Sequence, residues 1–179
     1  ILNRLFVDAH YLFGLEEKLS GLPAGRPGFD LVHSAETYFH YTQQALSAKR
    51  KGYVKKVIAT VLENIPFNNE GIWGRRIYKK RAREELDHII ALTQKTKDAL
   101  LTEGADPSKI TVIGHFVDTK KFTPRPRPKD SNALTVLFSG RLEPYKGIFD
   151  LIYAAAVLLR DPELSSKRLR FLIVGDGSV

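Results

Sequence analysis

Short apolar runs recur along the chain, separated by polar turns and helical stretches. They are Phe29–His33, Val57–Leu62, His88–Leu92, Ile110–Ile113, Leu134–Phe138 and Leu169–Val174. The runs are rich in β-branched residues and nearly continuous rather than alternating, the pattern of strands covered on both faces of a parallel sheet. Between them, helical periodicity predicts helices near 38–51, 73–86, 94–103 and 147–160. Thr93 is suited to cap the third of these and Gly104 to stop it. In the fourth, Ile148, Leu151, Ile152, Ala155 and Leu159 recur at three- and four-residue spacing, which predicts one buried face. Strand–helix–strand alternation of this kind indicates an α/β fold with doubly wound parallel sheets.

One segment breaks the rhythm. Thr123–Asn132 alternates proline with charge and then turns polar. It can neither pair inside a sheet nor continue a helix, so it reads as an extended surface connector. A new strand–helix–strand unit starts directly after it. The expected organisation is therefore a first domain over 1–123, a linker over 124–132, and the start of a second domain over 133–179.

Composition narrows the chemistry. The chain has 179 residues, 43% hydrophobic and 27% charged, with 28 Lys+Arg against 20 Asp+Glu and a formal net charge of +8. That is ordinary globular composition with a basic surplus. With no cysteine there is no disulfide framework, thiol nucleophile or cysteine metal cluster. No stretch approaches the length of a membrane-spanning helix. Asn3, Arg4, Asp8 and His10 interrupt the apolar N-terminus, which does not read as a signal peptide. The chain starts at Ile1 and contains no methionine, and is expected to be a piece of a longer protein.

Candidate chemistry concentrates in Phe138-Ser139-Gly140-Arg141-Leu142-Glu143-Pro144-Tyr145-Lys146-Gly147. A buried strand is expected to end at Gly140 and a helix to begin after Gly147. Ligands of open α/β sheets bind beyond the carboxyl ends of the strands. Gly140 lets a ligand approach the backbone, Arg141 offers a fork of donors to phosphate oxygens, and Lys146 adds charge beside a helix N-terminus that already favours anions. A second strand ends in Gly175-Asp176-Gly177. Together these make a site for a diphosphate that needs no metal; the plainer alternative is a solvated loop with two basic residues.

The run Val136–Gly147, followed by Leu172–Gly177, resembles the retaining glycosyltransferases of family 4. The stretch Ile110–Pro124 is similar to that family's interdomain crossover. The resemblance spans about residues 29–179 and implies the GT-B architecture, two Rossmann-like domains, both incomplete here. It further implies transfer of a sugar from a nucleotide-sugar donor to a sugar or lipid-linked acceptor, with retention and without a metal or other cofactor. Arg141 and Lys146 correspond to the family's basic pair, which holds the donor diphosphate and stabilises the departing nucleotide; Gly140, Gly175 and Gly177 would bring backbone close to it. His115 stands where the family often has a polar cleft residue, with Gly114 in place of the usual proline and Phe116 in place of the usual glycine. A ligand contact and a solvent-facing turn residue are both open for it. The loops His33–Tyr38 and Leu62–Asn69 are candidates for the acceptor side. Where relatives commonly carry a histidine in the second, this chain has Glu63 and Asn64, and Glu63 is the expected sugar- or acceptor-facing group. A non-catalytic nucleotide-binding module is the alternative.

Six basic residues fall within 75–83, preceded by Trp73. The expectation is a basic helix that touches anionic membrane through Arg75, Arg76, Lys79 and Lys80, placing a cytoplasmic protein at the inner face of the membrane. The alternative is a solvated face compensated by Glu84, Glu85 and Asp87. No zinc-finger spacing or RNA-binding aromatic motif accompanies it, so no nucleic-acid partner is expected.

Overall fold

The computed structural model describes residues 10–20, 28–68, 70–124, 133–164 and 167–179, and the chain divides into two units, Ile1–Asp118 and Thr119–Val179. Most of the expected linker, residues 125–132, and the N-terminal residues 1–9 lie outside the described residues.

In the first unit, helix α1 (Leu15–Ser20) precedes strand β1 (Phe29–Ala35), helix α2 (His40–Arg50), strand β2 (Val54–Val61), helix α3 (Arg75–Glu85), strand β3 (His88–Ala91), helix α4 (Gln94–Thr102) and strand β4 (Ile110–Val112). The four strands form one parallel sheet in the order β1-β2-β3-β4. Helices α2, α3 and α4 are the crossovers between neighbouring strands, as parallel pairing requires. Val54, Val57, Ala59 and Val61 of β2 and Ile89 and Ala91 of β3 form the core with Ala45, Leu46 and Ala48 of α2. The expected burial on both faces does not hold. In the middle strands Val57, Ala59 and Val61 of β2 and Ile89 and Ala91 of β3 are buried and alternate with half-buried Ile58, Thr60, His88 and Ile90, so one face carries the core. On β1, Phe29 and Leu31 are exposed, and on β2 Lys55 and Lys56 break the apolar run.

Local chemistry sets the element ends. Thr93 accepts the backbone N–H of Thr96 at the start of α4, satisfying one of the free amides of the first turn. Gly104 just beyond that helix has φ +88, a conformation glycine adopts without the Cβ penalty. The short α1 carries too little periodicity to stand out in the sequence. Between β2 and β3, Asp87 ties the layers together, accepting from Lys49 Nζ at 2.7 Å and from the Val57 N–H at 2.8 Å.

The second unit pairs strand β5 (Ala133–Ser139) in parallel with strand β6 (Arg168–Val174), in register from Ala133↔Arg168 to Ser139↔Val174. Helix α5 (Ile148–Leu158) is their crossover, preceded by a 3-10 turn over Pro144–Lys146. Only Ile148 of α5 is buried; Phe149, Ile152, Tyr153 and Val157 are exposed. No described helix is long and apolar enough to cross a membrane.

Candidate functional site

The loop from Gly140 to Gly147 leaves the carboxyl end of β5 and is tied to the chain leaving β6. The Gly140 N–H donates to the Val174 carbonyl at 3.1 Å, the Leu142 N–H to the Asp176 carbonyl at 2.9 Å, and the Val179 N–H to the Leu142 carbonyl at 3.3 Å. A Cβ at Gly175 would sit 1.8 Å from the Gly140 carbonyl oxygen, and one at Gly177 would sit 2.1 Å from that of Leu142. The two glycines are therefore required by the approach of one backbone to another, whatever else comes near them. Ser178 Oγ donates to Glu143 Oε2 at 2.6 Å, a further tie between the loops.

Arg141 and Lys146 are exposed on this loop and both flank Tyr145. Arg141 Nη2 donates to the Tyr145 hydroxyl at 2.8 Å. Its guanidinium carbon lies 6.0 Å from the ring centroid, and Lys146 Nζ lies 5.3 Å from it. Neither cation forms a salt bridge among the described residues. Gly147, with φ +78, precedes α5, whose start has no side-chain cap. Two cations without a salt bridge among the described residues thus stand on one ring beside a helix start whose first turn carries Asp150, and their charge favours an anion on the Tyr145 side of the loop. Sequence reasoning singled out both cations but not Tyr145.

In the first unit, the candidates lie beyond β1, β2 and β4. His115 and Phe116 follow β4 in an exposed stretch, and Phe116 is 98% exposed. Glu63 follows β2, and its own loop uses both of its oxygens: Oε1 accepts the Ile65 N–H at 3.1 Å and Oε2 accepts Asn68 Nδ2. The sequence reading placed Glu63 toward a substrate; here its carboxylate closes the turn that carries it. His33 Nε2 pairs with Thr60 Oγ1 across the two strands at 2.7 Å.

Glu36, which sequence reasoning left inside a candidate loop without a role, is the unusual group at the strand ends. It follows β1 with φ +58 and is 5% exposed. Its Oε1 accepts the Leu62 N–H at 2.9 Å, and its buried Oε2 has no hydrogen-bond partner. Burial pushes its carboxyl above the ordinary glutamate range, against the opposing pull of backbone amides and Lys79.

Helix α3 corrects the reading of its charges. Arg75 and Lys79 are buried and cannot reach a membrane. Lys79 pairs with Glu103 Oε1, and Arg83 Nη1 reaches Glu103 Oε2 at 2.7 Å. The Arg75 guanidinium lies over the Tyr38 ring at 4.7 Å. Residues 75, 79 and 83 follow at four-residue spacing and share one helix face, so that face is cationic and turned inward. Arg76 and Lys80 are exposed, with Trp73 and Ile77 beside them. Arg76 is 3.9 Å from Glu70 and Lys80 is 3.9 Å from Glu84, loose surface pairs.

The family model for Glycosyltransferase Family 4 matches residues 5–121. A D-inositol 3-phosphate glycosyltransferase of Actinosynnema mirum is 38% identical over 96% of this chain and 38% of its own length. One of Gordonia bronchialis is 30% identical over 96% of the chain and 35% of its own length. The lipopolysaccharide outer core galactosyltransferase WaaB, in its apo form, matches with a TM-score of 0.48 at 22% identity, over 83% of this chain and 37% of that one. The chain spans little more than a third of the curated relatives that match nearly all of it. The family match covers most of the first unit with its four parallel strands, and on that ground the chain belongs to glycosyltransferase family 4.

Proposed function

We propose that the full-length protein transfers a glycosyl unit from a nucleotide-sugar to a sugar or lipid-linked acceptor, with retention and without a divalent metal. The observation that carries this reading is the pair Arg141 and Lys146 around Tyr145, two cations without carboxylate partners among the described residues, just before α5. As the glycosidic bond to the nucleotide breaks, charge grows on the departing diphosphate, and preorganised cations stabilise it more in the transition state than in the ground state. Gly140 offers backbone just before Arg141, Gly175 and Gly177 pack behind that loop, and His115 is kept as a further candidate contact to the donor. The names of the relatives make a polyol phosphate the first acceptor to assay. The test is turnover of a nucleotide-sugar by the full-length protein, with and without EDTA, with the anomeric configuration of donor and product compared by NMR. Retention with turnover insensitive to EDTA supports the reading; inversion or abolition by EDTA overturns it.

A second reading adds seating at the inner face of the membrane. Trp73 is 94% exposed next to Arg76, with Ile77 and Lys80 on the same exterior. Aromatic and basic groups of this kind hold a protein to an anionic interface. Only Arg76 and Lys80 of the four expected cations serve it.

A further inference from the structure

Two buried carboxylates hold the two ends of one loop. Beyond β2 the chain runs from Leu62 to Asn68 at the carboxyl end of the sheet, the position where α/β sheets receive ligands. At its start, the Leu62 N–H donates to Glu36 Oε1 at 2.9 Å. Near its end, the Phe67 N–H donates to Glu103 Oε1 at 2.8 Å. Neither carboxylate belongs to the loop. Glu36 comes from the end of β1, and Glu103 from the end of α4.

The backbone at the clamped positions is unusual. Glu36 has φ +58 and Phe67 has φ +57, a region that costs a side-chain-bearing residue energy and persists only where the surroundings enforce it. Glu103 is enforced in turn by Lys79 and Arg83 from the inward face of α3. Buried ion clusters are poor sources of stability compared with apolar packing, and fixing a geometry is one attested use of them. Here the geometry fixed is that of the loop. Between the two anchors, Glu63 bridges to Ile65 and Asn68, leaving Leu62, Ile65 and Phe67 about half exposed.

We infer that Glu36 and Glu103 are positioning residues that lock the 62–68 loop into the shape that receives the acceptor. The inference rests on the proposed transferase function, with the acceptor on the first unit. It differs from a plain α3–α4 tie, because Glu103 Oε1 serves the Phe67 amide as well as Lys79. It assigns Glu36 a task that its position in the sequence does not suggest.

The experiment uses the full-length protein and two readouts. Hydrogen exchange on the wild type should show the Leu62 and Phe67 amides protected as strongly as β2, well above Asn64. Exchange of both at the rate of an open loop overturns the clamp, and no variant is needed to see it. Kinetics of Glu103→Ala should then show KM for the acceptor raised about tenfold or more, the order expected of a misplaced substrate-positioning element, with KM for the donor unchanged. Glu103→Gln, which keeps an oxygen for the Phe67 N–H, should recover most of that loss. Equal changes in both KM values, or no recovery by glutamine, reduce Glu103 to a structural tie and overturn the inference. Donor hydrolysis without acceptor, measured in parallel, separates the two failures. If no donor is turned over at all, the proposed function falls while the exchange pattern still decides the clamp.

Discussion

Gly175 and Gly140 meet backbone to backbone, so closely that a Cβ on Gly175 would lie 1.8 Å from the Gly140 carbonyl oxygen. The 140–147 loop is therefore shaped from behind by a residue far along the chain. Gly175→Ala has to push the loop outward, and overpacking of this kind costs about 1–3 kcal/mol. Titration calorimetry on the full-length protein should show the affinity for a nucleoside diphosphate reduced about tenfold or more. Affinity equal to wild type would mean that the 140–147 loop does not need this support.

Arg141→Ala and Lys146→Ala should each lower kcat by about 10²–10³, measured as release of nucleoside diphosphate. Tyr145→Phe removes only the hydroxyl that accepts from Arg141. A single neutral acceptor is worth about 1 kcal/mol, so its kcat should fall about fivefold. A Tyr145→Phe loss as large as that of Arg141→Ala would give the hydroxyl a direct role in the chemistry.

Lys79 and Lys80 should respond oppositely to removal. Lys79→Ala leaves the buried Glu103 carboxylate with Arg83 as its remaining cation. The loss should therefore stay below the ~3–5 kcal/mol of a fully broken buried pair and still exceed about 1 kcal/mol, the order of a lost hydrogen bond. Lys80 has only a distant, exposed partner, and losing it should change stability by less than about 0.5 kcal/mol. Urea unfolding followed by circular dichroism checks both.

Acid and base act on different carboxylates. Burial raises the Asp87 carboxyl, but the bonds from Lys49 and the Val57 amide outweigh it and leave the group below the ordinary aspartate range. Its folded value lies below its unfolded one, so its contribution to stability is full above the unfolded value and is lost as pH falls through the folded one. Glu36 runs the other way, because burial raises it. Its favourable share is present at low pH and is lost as pH rises from the ordinary glutamate range through its raised value. Chemical unfolding across pH should show Asp87→Asn flattening the acid limb. Glu36→Gln should gain relative stability as pH rises toward neutrality. A Glu36→Gln difference independent of pH would contradict the buried carboxyl.

Seating on an anionic bilayer should depend on Arg76, Lys80 and Trp73 alone. In vesicle co-sedimentation at low salt, Arg76→Ala combined with Lys80→Ala should weaken binding, each near-surface charge being worth about 1 kcal/mol. Equal binding of this variant and the wild type, or equal binding to neutral vesicles, removes the membrane reading.

Much of the fold was legible because the signals are local. Apolar runs at 57–62 and 88–92 became β2 and β3, and Thr93 capped α4 where its position suggested. The orientation of α3 was not legible. Polarity alone would bury Ile77 and expose Lys79, yet Ile77 is 60% exposed and Lys79 is 1% exposed. The partner that reverses the pattern, Glu103, sits on another helix, and no periodicity within 75–85 reports it. Glu36 was missed for the same reason: its partner is the Leu62 amide. The loop of Arg141 and Lys146 was legible because strand end, glycine and helix start follow one another directly in the chain.

Neighbours in sequence, Lys79 and Lys80 are opposites toward any reagent that acylates amines. Lys80 stands in solvent and Lys79 is enclosed with Glu103. Brief labelling followed by mass spectrometry should tag the one and spare the other. The slow appearance of a tag on Lys79 would then time the rare moments when α3 lifts from the end of α4. A pair of adjacent lysines thereby becomes a built-in clock for the opening of the first unit, with Lys80 as its internal standard.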